Sequence, residues 1–188
     1  MNPVYLIYFV LIVIGLIIVW AFVRCFFKRL GCMLGITRMC RKHGFRLTVK
    51  HPLWFLGSRY ARRCDCLIQT PAGVYGVKFF GCLWPLKSLI LREHGEYCFR
   101  AHAAFIKFLL DVIDGYPHLL PAYRFDLPKA GLAEGTQVHS FLLINPMPLE
   151  ILMQPSNGQE GISGTGDKIC GMEIASLSHL IRVVEKDA

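Results

Sequence analysis

Residues Val4 to Val23 form twenty consecutive positions without a charge, and the forty that follow hold no carboxylate; the first acid is Asp65. At about 1.5 Å rise per residue, twenty helical residues cover roughly 30 Å, the thickness of a bilayer's hydrocarbon core. A helix satisfies all its backbone groups internally, as lipid requires. In water, such all-round apolarity would suit only a deeply buried helix. Tyr5 and Tyr8 near one end and Trp20 near the other match interfacial anchors. A cleaved signal peptide is the main rival. Those carry a positive start, a shorter apolar stretch and a small-residue cleavage site. Met1, Asn2 and Pro3 bring no Lys or Arg, and Arg24-Cys25-Phe26-Phe27 is a poor cleavage site. The expectation is an uncleaved transmembrane helix at 4–23, preceded by a short N-terminus at 1–3.

The net charge of +8 is segregated along the chain. Residues 1–64 carry +11 with no acid, and residues 65–188 carry −3. The positive-inside rule then puts the C-terminal side in the cytoplasm and the N-terminus outside the cell membrane. The basic juxtamembrane segment, 24–44, offers Arg24, Lys28, Arg29, Arg38, Arg41 and Lys42 to anionic lipid headgroups. Nucleic acid is a competing partner for any basic stretch. Residues 45–188 suffice for one domain with a real core.

Eight cysteines are present, at 25, 32, 40, 64, 66, 82, 98 and 170. In a cytoplasmic domain they read as reduced thiols. Cys64-Asp65-Cys66 is too tight for a zinc knuckle, and Cys40 with His43 is a half-site without a partner pair. Cys25 and Cys32 sit where acylation occurs, or are simply small apolar residues. Residues 161–168, GISGTGDK, fail as a phosphate loop because Asp167 interrupts the required Gly-Lys-Ser/Thr.

Local patterns predict strands at 45–49, 64–69 and 74–80, the last two joined by the turn Thr70-Pro71-Ala72-Gly73. A hairpin is expected across His94-Gly95, and a helix over 103–114. Val138 to Ile144 reads as a strand buried on both faces. The stretch 154–171, with five glycines, reads as a loop. A strand at 168–175 and a helix at 177–184 capped by Ser176 close the chain. Together these give an α+β fold, a transmembrane helix followed by a mixed-sheet sandwich.

Asp65, the turn, and then Tyr75-Gly76-Val77-Lys78 resemble the core motif of the restriction-endonuclease-like superfamily. The order of elements over roughly 36–185 is similar to that of its nuclease-related domains. The resemblance implies a catalytic pair, Asp65 and Lys78, with Asp65 also a Mg2+ ligand. In that family two carboxylates hold the metal, and metal and lysine activate water against a phosphodiester. The second carboxylate belongs at position 76, which here is glycine. Glu93 and Glu96, on later elements, are the substitutes at hand. The expectation is therefore a non-catalytic interaction module without a cofactor, bound to lipid and a protein partner. The alternative is a membrane-tethered nuclease-like domain that binds nucleic acid or Mg2+.

Overall fold

The computed structural model describes residues 3–49, 53, 64–80, 87–92, 96–101, 118–119, 136–154, 161–169 and 171–186. Helix α1 (Pro3–His43) is continuous over 41 residues, about 61 Å at 1.5 Å per residue. It ends where Gly44 adopts φ 70°, a left-handed cap that favours glycine. Its two halves meet different surroundings. From Val4 to Val23 every residue except Ala21 is exposed. From Cys32 the burial becomes periodic: Cys32, Ile36, Met39 and Cys40 are buried, while Arg38, Arg41 and Lys42 face outward. That spacing puts one apolar stripe against the domain, so the second half of α1 belongs to the domain's core.

The stripe packs on a six-stranded mixed sheet. Its strands are β1 (Arg46–Val49), β2 (Cys66–Gln69), β3 (Val74–Phe80), β7 (Val138–Ile144), β11 (Met172–Ala175) and β10 (Lys168–Ile169), in that spatial order. The neighbours β1, β2 and β3 are antiparallel, whereas β3, β7 and β11 run parallel. Helix α2 (Leu177–Lys186) lies on the same face as α1. Ser176 caps it, its Oγ accepting the His179 N–H at 3.2 Å. Leu177 lies against Gly35, where a Cβ would come within 3.0 Å of its side chain, and Glu185 meets Lys42 and His43. The two helices therefore run side by side in the same direction. Their shared core holds Ile36, Cys66, Ile68, Tyr75, Val77, Phe79, Phe141, Leu180 and Val184.

The opposite face of this sheet is covered by a second sheet. Its order is β6 (His118–Leu119), β5 (Glu96–Ala101), β4 (Lys87–Arg92), β8 (Ile151–Gln154) and β9 (Gly161–Ser163). Leu89, Leu91 and Ile151 from it pack on Leu142, Ile144, Met172 and Ile174. The result is α+β in three layers: helices, mixed sheet, second sheet.

Several expectations need adjustment. The expected strand 168–175 is two strands, broken at Gly171 with φ 77°. β9 lies inside the glycine-rich stretch, where it pairs with β8, itself absent from the sequence reading. β4 and β5 pair antiparallel, as a hairpin across 93–95 requires. The first half of β7 is only partly covered, with His139 exposed. The expected helix 103–114 lies outside the described residues. Shortening a side chain on the α1 stripe should cost folding energy, and shortening one on the exposed half should not. Denaturant titration in detergent should show Ile36→Ala less stable by roughly 2–5 kcal/mol, with Ile12→Ala unchanged.

Candidate functional site

β2 and β3 bring Asp65 and Lys78 together. The ladder pairs Cys66 with Val77, so the next residue outward, Asp65, stands opposite Lys78. The Asp65 N–H extends the pairing by donating to the Val77 carbonyl at 2.9 Å. Lys78 Nζ donates to Asp65 Oδ1 at 3.1 Å. The Phe79 N–H donates to Asp65 Oδ2 at 2.8 Å. The carboxylate thus takes an amide that a longer β2 would have satisfied. Both side chains are about 3% exposed. Lys78 shares its sheet face with the layer between the two sheets, next to Leu142 in the register of β7.

Burying two charges costs several kcal/mol each, recovered only with close geometry and further hydrogen bonds. The pair meets that condition at each carboxylate oxygen. The same arrangement limits its chemistry. A metal ion at Asp65 would share the carboxylate with Lys78 Nζ, whose positive charge opposes a cation there. Gly76 contributes no oxygen, and no group of three metal-donor side chains occurs among the described residues. Glu93 lies outside the described residues. Glu96 belongs to β5 in the second sheet, one sheet away from Asp65, and its side chain is not described. The residues described do not fit a two-carboxylate Mg2+ site.

The basic residues separate along α1. Arg24 directly follows the apolar run, with its guanidinium 5.7 Å from the Trp20 ring. Lys28 and Arg29 come within the next two turns. Arg29 Nε donates to the Asn145 carbonyl at 3.4 Å, and Asn145 Nδ2 donates to the Lys28 carbonyl at 2.9 Å. Arg38, Arg41 and Lys42 lie about 22–28 Å beyond Val23 along the helix axis. They sit at the other end of the domain, where Lys42 faces Glu185 at 3.7 Å.

Asn145, directly after β7, joins three elements. Its N–H donates to the Phe80 carbonyl at 2.7 Å, and its side chain also donates to Cys32 Sγ at 2.6 Å. It ties the ends of β3 and β7 to α1. The only local signal was the Asn-Pro pair, which marks a turn without revealing what the turn touches.

The thiols are set by burial. Burial pushes Cys40 up to about 11 from its ordinary 9.0. It pushes Cys66 well above that ordinary value, with repulsion from the acidic groups of Cys64, Asp65 and Cys40 adding to the rise. Cys32 is raised by burial, partly offset by Asn145, Lys28 and Arg29. These are protonated, inert core thiols near neutral pH. Cys40 and His43 do not form a half-site: Cys40 faces the core, and His43 Nε2 lies 3.1 Å from Glu185.

No family model matches this chain, and neither a curated protein nor a solved structure does.

Two outcomes follow from the buried groups. Asp65→Ala or Lys78→Met alone strands the other charge and should cost roughly 3–5 kcal/mol. The double variant should lose less than the sum of the two, as measured by a double-mutant cycle in denaturant. For Cys40, the thiol of the unfolded chain ionises first, so its contribution is complete below pH 9.0 and is lost as pH rises through about 11. The alkaline fall in the denaturation midpoint should be smaller in Cys40→Ala.

Proposed function

We propose that this chain is a single-pass membrane protein, N-terminus outside, whose α+β domain is a non-catalytic interaction module on the cytoplasmic side. The observation that carries the anchor is the exposed half of α1. An 18-residue window of this helix has a mean hydropathy of 3.1, and 6% of it is buried in the protein. Such a surface on a helix projecting from a folded domain calls for lipid. The positive charges at Arg24, Lys28 and Arg29 support the direction. They also narrow the headgroup contacts, since Arg38, Arg41 and Lys42 stand more than a Debye length from the end of the span.

The non-catalytic reading is supported at Asp65. Each of its oxygens accepts a hydrogen bond from the domain itself, and the position for a second carboxylate is Gly76. An interaction role is favoured by the outer strand of the second sheet. Among the described residues β9 is the last strand of its sheet and exposes 86% of Ile162, a feature suited to strand addition by a protein partner.

One observation favours the second reading, a degenerate restriction-endonuclease-like domain. Asp65 and Lys78 meet across β2 and β3, and β7 lies parallel to β3, the order of elements which that resemblance implies. On this reading the domain keeps the framework and binds nucleic acid or Mg2+ through Asp65 and Lys78. Calorimetric titration of Mg2+ into the full chain separates the readings. Binding that disappears in Asp65→Asn would favour the second reading, and the interaction module gives no heat. For the anchor itself, the chain should stay with membranes through alkaline carbonate. External protease on intact cells should leave the C-terminal domain whole. Release by carbonate, or loss of the domain to protease, overturns the anchor or its direction respectively.

A further inference from the structure

We infer that the end of the domain formed by Asn145 to Leu149 rests on the lipid surface, so that the domain is docked on the bilayer rather than hung from it. This deepens the anchor reading and rests on it. The argument begins with α1. The helix runs without a break from the apolar stretch into the core, so no linker separates span from domain. The position of each domain element relative to the span is then set by where it touches this helix.

Asn145 touches it at Lys28, Arg29 and Cys32. These residues lie about 8–14 Å past Val23 at about 1.5 Å per residue. The headgroup layer beyond the hydrocarbon core is roughly 5–8 Å deep on each side. Asn145 therefore sits just below the headgroups. The strands agree with this orientation. β3 and β7 both end here, at Phe80 and Ile144, whereas the opposite end of the domain holds His43, Gly44 and Glu185.

From Asn145 the chain crosses from the mixed sheet to the second sheet, where the Glu150 carbonyl accepts the Leu89 N–H at 2.9 Å. The crossing segment is Asn-Pro-Met-Pro-Leu, without a charge. It buries Pro146 but exposes Met147 at 37% and Leu149 at 55%. Phe27, on α1 just above, is 63% exposed. Apolar side chains at this depth, flanked by Lys28 and Arg29, match the composition of an interfacial contact: apolar groups inserted at the headgroup boundary, with cations beside them. The occupant to which these features commit is the bilayer surface. A protein bound at the same end is the competing outcome.

The test uses the full chain with 13C-labelled methionine methyls in phosphatidylcholine nanodiscs carrying gadolinium-chelating headgroups. The Met147 methyl should lose intensity severalfold more than those of Met39, Met153 and Met172. Leu149→Asp should lessen the Met147 loss while leaving carbonate resistance intact. An anchored chain whose Met147 is broadened no more than Met153 would overturn the docked end and leave the anchor standing. A chain extracted by carbonate would overturn both.

Discussion

A single helix is asked to satisfy two solvents, and the rest of the molecule follows from how it does so. Over its first half α1 has no polar side and, Ala21 aside, is exposed from Val4 to Val23, so its stability rests on the internal hydrogen bonding of a helix together with an apolar medium. Over its second half it presents a stripe of Cys32, Ile36, Met39 and Cys40, with cations on the opposite face. That stripe supplies one wall of the main core. Remove it and the mixed sheet loses the cover of the face that carries Ile68, Tyr75, Val77 and Phe141. Because no turn separates the halves, whatever fixes the first half in space also fixes the domain.

The buried Asp65 and Lys78 pair sits at the other decisive point, where β2 begins and the ladder to β3 runs out. An apolar pair there would leave the Phe79 amide without its carboxylate acceptor. The ion pair closes the end of that ladder, and the lysine lies over the layer shared with the second sheet. This is structural work for two residues that elsewhere would read as catalytic machinery. Gly76, on the neighbouring strand, places no second carboxylate beside Asp65. Burial holds the adjacent Cys66 thiol in its neutral form, with a smaller contribution from the Asp65 carboxylate.

Local chemistry made much of the fold legible. The strands at 46–49, 66–69, 74–80 and 138–144, the turn at Thr70 to Gly73 and the Ser176 cap all leave signals within a few residues. The meeting of Asp65 with Lys78 could be anticipated because a short turn between two antiparallel strands fixes their register. Contacts distant in sequence left no such mark. Nothing near Asn145 indicates that it bonds to a helix more than a hundred positions earlier. Nothing in Gly161 to Ser163 tells that this piece pairs with β8. The second sheet as cover for the first was hidden for the same reason: a face full of Leu and Ile demands a cover but does not specify one.

By itself, the sequence determined an apolar helix of membrane length, a segregated positive charge and an α+β succession of strands and helices, because each depends on composition or on short-range periodicity. Only the tertiary structure decided that the basic stretch after the span is half buried in the core and that its cations divide between two ends of the domain. It also decided that both oxygens of Asp65 are occupied. Those outcomes depend on which distant surfaces come to face one another, and burial and hydrogen-bond partnership are properties of that pairing rather than of any residue in the chain.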